Sequence, residues 1–241
     1  MAEASHSVEN LRARLDAVRL RVERAARRAG REAREVTLIA VSKTHPTDVL
    51  RDAVEAGATD FGENRVQEAE SKIEELGRDA ARWHLIGHLQ ANKARRAVKF
   101  FDLIHTIDTP ALVTRLERLC VEEARETLDV LVQVDLAGEA TKSGAPPAEL
   151  DAIFETLDGC RRVRCRGLML LPPFFEDTEQ VRPYFRRLRE LRDEWAKRGR
   201  VFHEGAGELS MGMSHDFEVA IEEGATMVRV GTAIFGAREK V

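Results

Sequence analysis

Eight short runs of apolar residues recur along this chain, each ending in polar residues and each followed by a stretch of helical character. They are Thr37-Leu-Ile-Ala-Val-Ser-Lys43, Thr59-Asp-Phe-Gly-Glu-Asn64, Trp83-His-Leu-Ile-Gly-His88, Leu103-Ile-His-Thr-Ile-Asp108, Val130-Leu-Val-Gln-Val-Asp135, Arg166-Gly-Leu-Met-Leu-Leu171, Glu208-Leu-Ser-Met-Gly-Met213 and Met227-Val-Arg-Val-Gly231. Each has the length and β-branched content of a buried strand. Helices are predicted from Thr47 to Ala56, Val66 to Leu76, through Lys99, from Pro110 to about Thr127, Ala148 to Leu157, Thr178 to Lys197 and Asp216 to Glu223. A further helix from Ser7 to Arg28 precedes them, with Leu11, Leu15, Val18 and Val22 on one stripe and Gly30 at its end. Regular strand–helix alternation demands parallel strands and right-handed crossovers. Eight such units without a linker read as one (β/α)8 TIM-type barrel, residues 37–241, with an extra N-terminal helix, residues 1–36, packed on it. A doubly wound open sheet would want a glycine-rich phosphate turn after the first strand. Ser42-Lys43-Thr44-His45-Pro46 contains none.

The bulk properties exclude several function classes. With 241 residues and a net charge of −4, the chain is not a general nucleic-acid binder. No apolar run is long enough for a membrane span, and Met1 to Asn10 lacks a signal-peptide core. Cys120, Cys160 and Cys165 have neither disulfide nor metal-ligand spacing, which fits a reducing cytoplasm. His84 and His88 are four apart, but on a predicted strand with Gly87 between them, so no metal site is expected.

In a barrel the C-terminal strand ends converge on one mouth. They carry Lys43, Asn64, His84 with His88, His105 with Asp108, Gln133 with Asp135, Met169, Ser210 to Ser214 and Arg229 to Thr232. A lysine at a strand exit is costly to desolvate, and desolvation yields the free amine that a Schiff base requires. Arg229 and Gly231 share a strand face, and with Thr232 and the serine-bearing loop at Ser210 and Ser214 they supply the parts of a phosphate cradle. An amine, a phosphate cradle and an arginine between them suit pyridoxal 5′-phosphate. A Schiff-base sugar-phosphate lyase would use the same lysine and cradle without the ring partner. Glu63 reads as the buried partner of some basic group, Asp216 as a helix cap, and Met211 and Met213 as ring neighbours or core filling.

Ala40-Val-Ser-Lys-Thr44, Phe61-Gly-Glu-Asn64, Trp83-His-Leu-Ile-Gly-His-Leu-Gln90, Lys142-Ser-Gly144, Arg166-Gly-Leu-Met169, Leu209-Ser-Met-Gly-Met-Ser214 and Met227-Val-Arg-Val-Gly-Thr-Ala-Ile-Phe-Gly236 together resemble the pyridoxal phosphate homeostasis proteins, single-domain relatives of the alanine racemase N-terminal barrel. The resemblance implies pyridoxal phosphate held as a Schiff base on Lys43, with Arg229 facing the pyridine nitrogen. It implies Ser210 or Ser214, with Gly231 and Thr232, on the phosphate, Asn64 close by, and Lys142 in cofactor handling. It implies binding, buffering and delivery of the cofactor to pyridoxal phosphate-dependent apoenzymes by a monomer, not catalysis. A weakly active amino-acid racemase is the rival reading. Its tyrosine base has no counterpart at the predicted mouth, since the one tyrosine, Tyr184, lies on the helix after strand six. His45 and Arg65 depart from the family pattern, which commonly has a lysine and an aromatic residue there.

Overall fold

Side chains alternate across each of the eight runs, and the runs pair in parallel until the sheet meets itself. The structure is a computed structural model that describes residues 6–138, 143–199, 202–203 and 205–236. The strands are β1 (Thr37–Val41), β2 (Asp60–Glu63), β3 (Arg82–Leu85), β4 (Leu103–Ile107), β5 (Leu128–Val134), β6 (Val163–Leu170), β7 (Glu208–Met213) and β8 (Met227–Val230). They form a closed barrel in sequence order, shut by β8 on β1 with Ile39 opposite Arg229. Among the described residues the helices are α1 (Val8–Arg28), α2 (Thr47–Glu55), α3 (Val66–Leu76), α4 (Ala94–Phe100), α5 (Pro110–Glu122), α6 (Leu150–Asp158), α7 (Arg182–Lys197), α8 (Phe217–Glu222) and α9 (Thr232–Phe235).

Local chemistry accounts for most boundaries. The Ser7 hydroxyl accepts from the Asn10 N–H, and the α1 stripe of Leu11, Leu15, Val18 and Val22 is buried against α2, α8 and α9. Thr109 caps α5, with Pro110 at its first position. That helix stops at Glu122, five residues before the predicted end, because Ala124 adopts a left-handed φ of 52° and the Arg125 N–H closes back on Cys120 O. β6 begins three residues earlier than predicted. Its partly exposed Arg164 and Arg166 alternate with buried Val163 and Cys165, a charged edge that masked the strand. The first predicted residues of α7, Thr178–Val181, form a 3-10 turn capped by Asp177. Helix α9, a single turn after β8, has no counterpart among the helices expected from the sequence.

Two separate cores result. Between sheet and helices lie Phe61, Trp83, Phe101, Phe154 and Phe185, in one cluster that also takes in the α1 stripe. Inside the barrel the apolar filling is small: Ile39, Leu103, Leu131, Met169 and Met227. Barrel interiors are ordinarily packed with branched aliphatics. Here His84, His105, Ser210 and Arg229, all buried, take much of that space.

Candidate functional site

Alternation along β1 turns Ala40 outward and Ile39 and Val41 inward, so Lys43 follows the inward face just beyond the strand. It is half-buried and lines a cavity at the C-terminal mouth of the barrel. Its two neighbours are clamped. The Ser42 hydroxyl donates to Glu63 Oε1 at 2.6 Å, and Lys72 Nζ donates to Ser42 O at 2.9 Å. The same ammonium reaches Glu63 Oε1 and Glu68 Oε1, each at 2.7 Å, and Glu68 Oε1 also accepts from the Thr44 N–H at 2.5 Å. Thr44 has a φ of 71°, costly for a β-branched residue and held here by that bond. Burial raises the Glu63 carboxyl above its ordinary value, against the pull of Lys72. Glu68 is depressed: burial works the other way, but the Lys72 ammonium and the Thr44 N–H outweigh it. The basic partner sought for Glu63 is therefore Lys72. Sequence reading missed it, although Glu68 and Lys72 stand four apart on one face of α3.

Arg229, 3 % exposed, projects from β8 behind the cavity. One terminal nitrogen donates to Ser210 Oγ at 2.6 Å and the other to Leu170 O at 2.8 Å. Burial pulls its guanidinium down to about 10, opposed by Asp216, so it remains charged at neutral pH. Asp216 does not cap α8 through its side chain. It accepts from the Met213 N–H at 2.6 Å instead, holding the turn after β7. Ser210 is fully buried, does not line the cavity and also contacts His105 Nδ1 at 2.9 Å. Its hydroxyl supports Arg229 and does not reach the cavity, unlike the phosphate contact expected from the sequence. His105 in turn meets His84 at 3.0 Å, and His84 meets Asp60 Oδ1 at 3.0 Å. Neither imidazole is at the mouth, and His88 stands apart from them, half-exposed beside Asp108.

The cavity encloses about 320 Å³, within the range of small-molecule sites. Lys43, Arg229, Asn64, Ser214 and Thr232 give it polarity, and Val41, Ile86, Leu171, Met213 and Phe174 give it apolar walls. Among the described residues no aspartate or glutamate lines it. Ser214 Oγ accepts from the Gly231 and Ala233 N–H groups at 3.1 and 3.5 Å. A Cβ at Gly231 would stand 3.3 Å from both Val41 Cβ and Val41 O, so a side chain there would press on the cavity wall. The Asn64 backbone passes close to Gly87, where a Cβ would fall 2.2 Å from Asn64 O. Lys43, Asn64, Ser214, Arg229, Gly231 and Thr232 are thus brought together as predicted. Lys142 lies outside the described residues. His45 lines the cavity and stacks on Phe235, with ring centroids 4.8 Å apart; Arg65 borders a neighbouring cavity with His88 and Lys93. Phe174 and His215, also at the rim, left no signal in the sequence because loop residues carry no periodicity. An amine, a guanidinium and two hydroxyls without a carboxylate make a cavity for an anion, with an amine that can bond to an electrophilic carbon.

Residues 13–239 match the alanine racemase N-terminal domain family. A pyridoxal phosphate homeostasis protein of Aquifex aeolicus is 44% identical over 226 residues, covering 94% of this chain and 97% of that one. The protein of the same name in Escherichia coli K12 is 44% identical, covering 92% of this chain and 94% of its own length. PipY of Synechococcus elongatus, solved with PLP bound, aligns at a TM-score of 0.81 and 39% identity over 94% of this chain and 100% of PipY. An alanine racemase of Clostridium difficile 630, at 14% identity, a TM-score of 0.71 and coverage of 96% of this chain but 58% of that one, shares the fold. The matched domain and the near full-length identity together place this chain in the family of pyridoxal phosphate homeostasis proteins.

Proposed function

We propose that this protein binds pyridoxal 5′-phosphate at the barrel mouth and serves to hold, buffer and deliver it, without catalysing a reaction of its own. The observation that carries this reading is the cavity: an amine at a strand exit, a buried guanidinium, two hydroxyls and no carboxylate among the described residues, in a chain of this family. The donor set fits the cofactor. Lys43 would bond to the aldehyde and Arg229 would face the ring nitrogen. Ser214, Gly231 and Thr232 would hold the phosphate, with Asn64 beside them and the apolar walls against the ring.

When bound, pyridoxal phosphate supplies an aldehyde for an amine and a ring that withdraws electrons from it. Arg229, charged at neutral pH, disfavours protonation of the ring nitrogen and so weakens that withdrawal. A racemase would also need a second base opposite the lysine. Tyr184, on α7 near Phe175, is not among the residues lining the cavity. Both features favour a carrier over a racemase, and Lys43 acts as an anchor. Delivery to apoenzymes and a monomeric state belong to the same reading.

The test is the absorbance spectrum of the protein after incubation with pyridoxal phosphate, before and after borohydride, with peptide mapping. A visible band that borohydride abolishes, with the label on Lys43 and none in Lys43→Ala, is the expected result. A protein that stays colourless sinks the reading. Exchange of amino-acid α-protons for deuterium by the loaded protein would return it to the racemases. Faster reactivation of an apoenzyme by the loaded protein than by the free cofactor released from it supports direct delivery.

A further inference from the structure

The hydrogen bonds behind Arg229 continue through the barrel, and every link has a forced direction. A guanidinium can only donate, so its nitrogen gives a proton to Ser210 Oγ. The Ser210 oxygen could accept a second bond, so the Asp60 end sets the direction of the rest: with both rings neutral, His105 Nδ1 is bare and accepts from the Ser210 hydroxyl. His105 carries its proton on Nε2 and donates to His84 Nδ1, and His84 likewise donates from Nε2 to Asp60 Oδ1. The opposite direction would require Asp60 to be protonated. Asp60 is held below its ordinary value: burial opposes this, but the His84 and Thr59 hydrogen bonds and the charge of Arg82 prevail. Both imidazoles are wholly buried, and burial lowers both from the ordinary value, so neither carries charge at neutral pH. All the dipoles in the chain point one way, with a cation at one end and a carboxylate at the other. Such alignment strengthens each bond.

The far end lies on the other side of the barrel. Asp60 opens β2 and borders a separate cavity of about 290 Å³ with Leu15, Arg19 and Thr37, at the strand starts. Meanwhile, among the described residues, the hydrogen bonds of Arg229 go to neutral acceptors, Ser210 Oγ and Leu170 O. A buried cation with no carboxylate in contact is costly unless its charge is balanced elsewhere. Asp216 acts on it from the β7–α8 turn, but that carboxylate is committed to Met213 and pushed up by burial. Asp102 and Arg82 face His84 from the strand starts, and Asp129 stands 4.0 Å from Arg82.

We propose that Asp60 is a positioning residue for the cofactor ring: through His84, His105 and Ser210 it fixes the orientation of the Arg229 guanidinium and supplies its remote counter-charge. This rests on the reading that the cavity holds pyridoxal phosphate with its ring against Arg229. The field at the ring is then set from the opposite mouth of the barrel, and no carboxylate need approach the ring nitrogen.

Asp60→Asn keeps an acceptor for His84 and removes the charge. The cavity becomes more positive, every protonated form in it is disfavoured, and the pH midpoint of the bound cofactor's visible absorbance falls by about half a unit. Ser210→Ala cuts the last link and speeds cofactor release roughly tenfold, the loss of one hydrogen bond to a charged group, and Ser210→Thr restores it. In ligand-free protein, ¹⁵N spectra of the histidines must show His84 and His105 neutral and protonated at Nε2. A purely structural role predicts lower thermal stability in Asp60→Asn with an unmoved absorbance midpoint, and that outcome overturns the proposal. So does a cationic or Nδ1-protonated His105 in the ligand-free protein. A wild-type protein that takes up no pyridoxal phosphate sinks the functional reading instead, while the histidine spectra still decide the relay.

Discussion

Lys43 owes its place to residues that never touch the cavity. Thr44 sits in a left-handed conformation, a cost of roughly 1 kcal/mol or more for a β-branched side chain. Glu68 holds its N–H, while Lys72 holds Ser42 O and both carboxylates. Lys72→Met would strand Glu63 in a fully buried position where burial already raises its carboxyl. The expected loss is about 3 kcal/mol in urea unfolding, typical of breaking one side of a buried pair. Adding Glu63→Gln should recover much of it, because the uncompensated charge is gone. Cofactor retention should stay poor in the double variant, since the turn bearing Lys43 remains unclamped. Full retention there would show that the strand alone positions the lysine.

Between elements, side chains substitute for missing ladder bonds. Glu117, in the middle of α5, accepts from the backbone N–H groups of Arg161, Arg162 and Val163 and so pins the start of β6. Those bonds hold its carboxyl below the ordinary value of 4.5 although burial works against them. A depressed folded value means the stabilisation is complete above about 4.5 and drains away as pH falls through the folded value. Glu117→Gln should therefore cost about 1 kcal/mol at neutral pH, and the gap from wild type should close on acidification. Chemical denaturation at neutral pH and in acid measures it; a gap that widens in acid would refute the assignment.

Across the whole molecule, the two histidines inside the barrel tie folding to pH. Burial is the leading cause in both, with Asp60 opposing it at His84 and the nearby charges of Arg229 and Arg82 adding to it at His105. The unfolded chain takes up a proton at each near the ordinary value of 6.5, while the folded protein does not until lower pH. Stability is therefore present above 6.5 and lost as pH falls below it. With both histidines contributing, the slope is at most about 2.7 kcal/mol per pH unit. Urea unfolding across this window checks it, and replacing His105 with Phe should roughly halve the slope.

The sequence by itself determined the barrel, because strand alternation and helix periodicity are local patterns repeated eight times. It also placed Lys43, Asn64, Ser214, Arg229, Gly231 and Thr232 at one mouth, since parallel closure sends every strand end the same way. Tertiary structure alone decided which polar groups meet inside. His105 and Ser210 are 105 residues apart, and His84 reaches partners 21 and 24 residues away. Ser210 looked like a phosphate ligand because its loop has the right composition, yet the register of β7 against β8 turns its hydroxyl to Arg229. Such contacts depend on how closure staggers the strands, and no local run of residues encodes that.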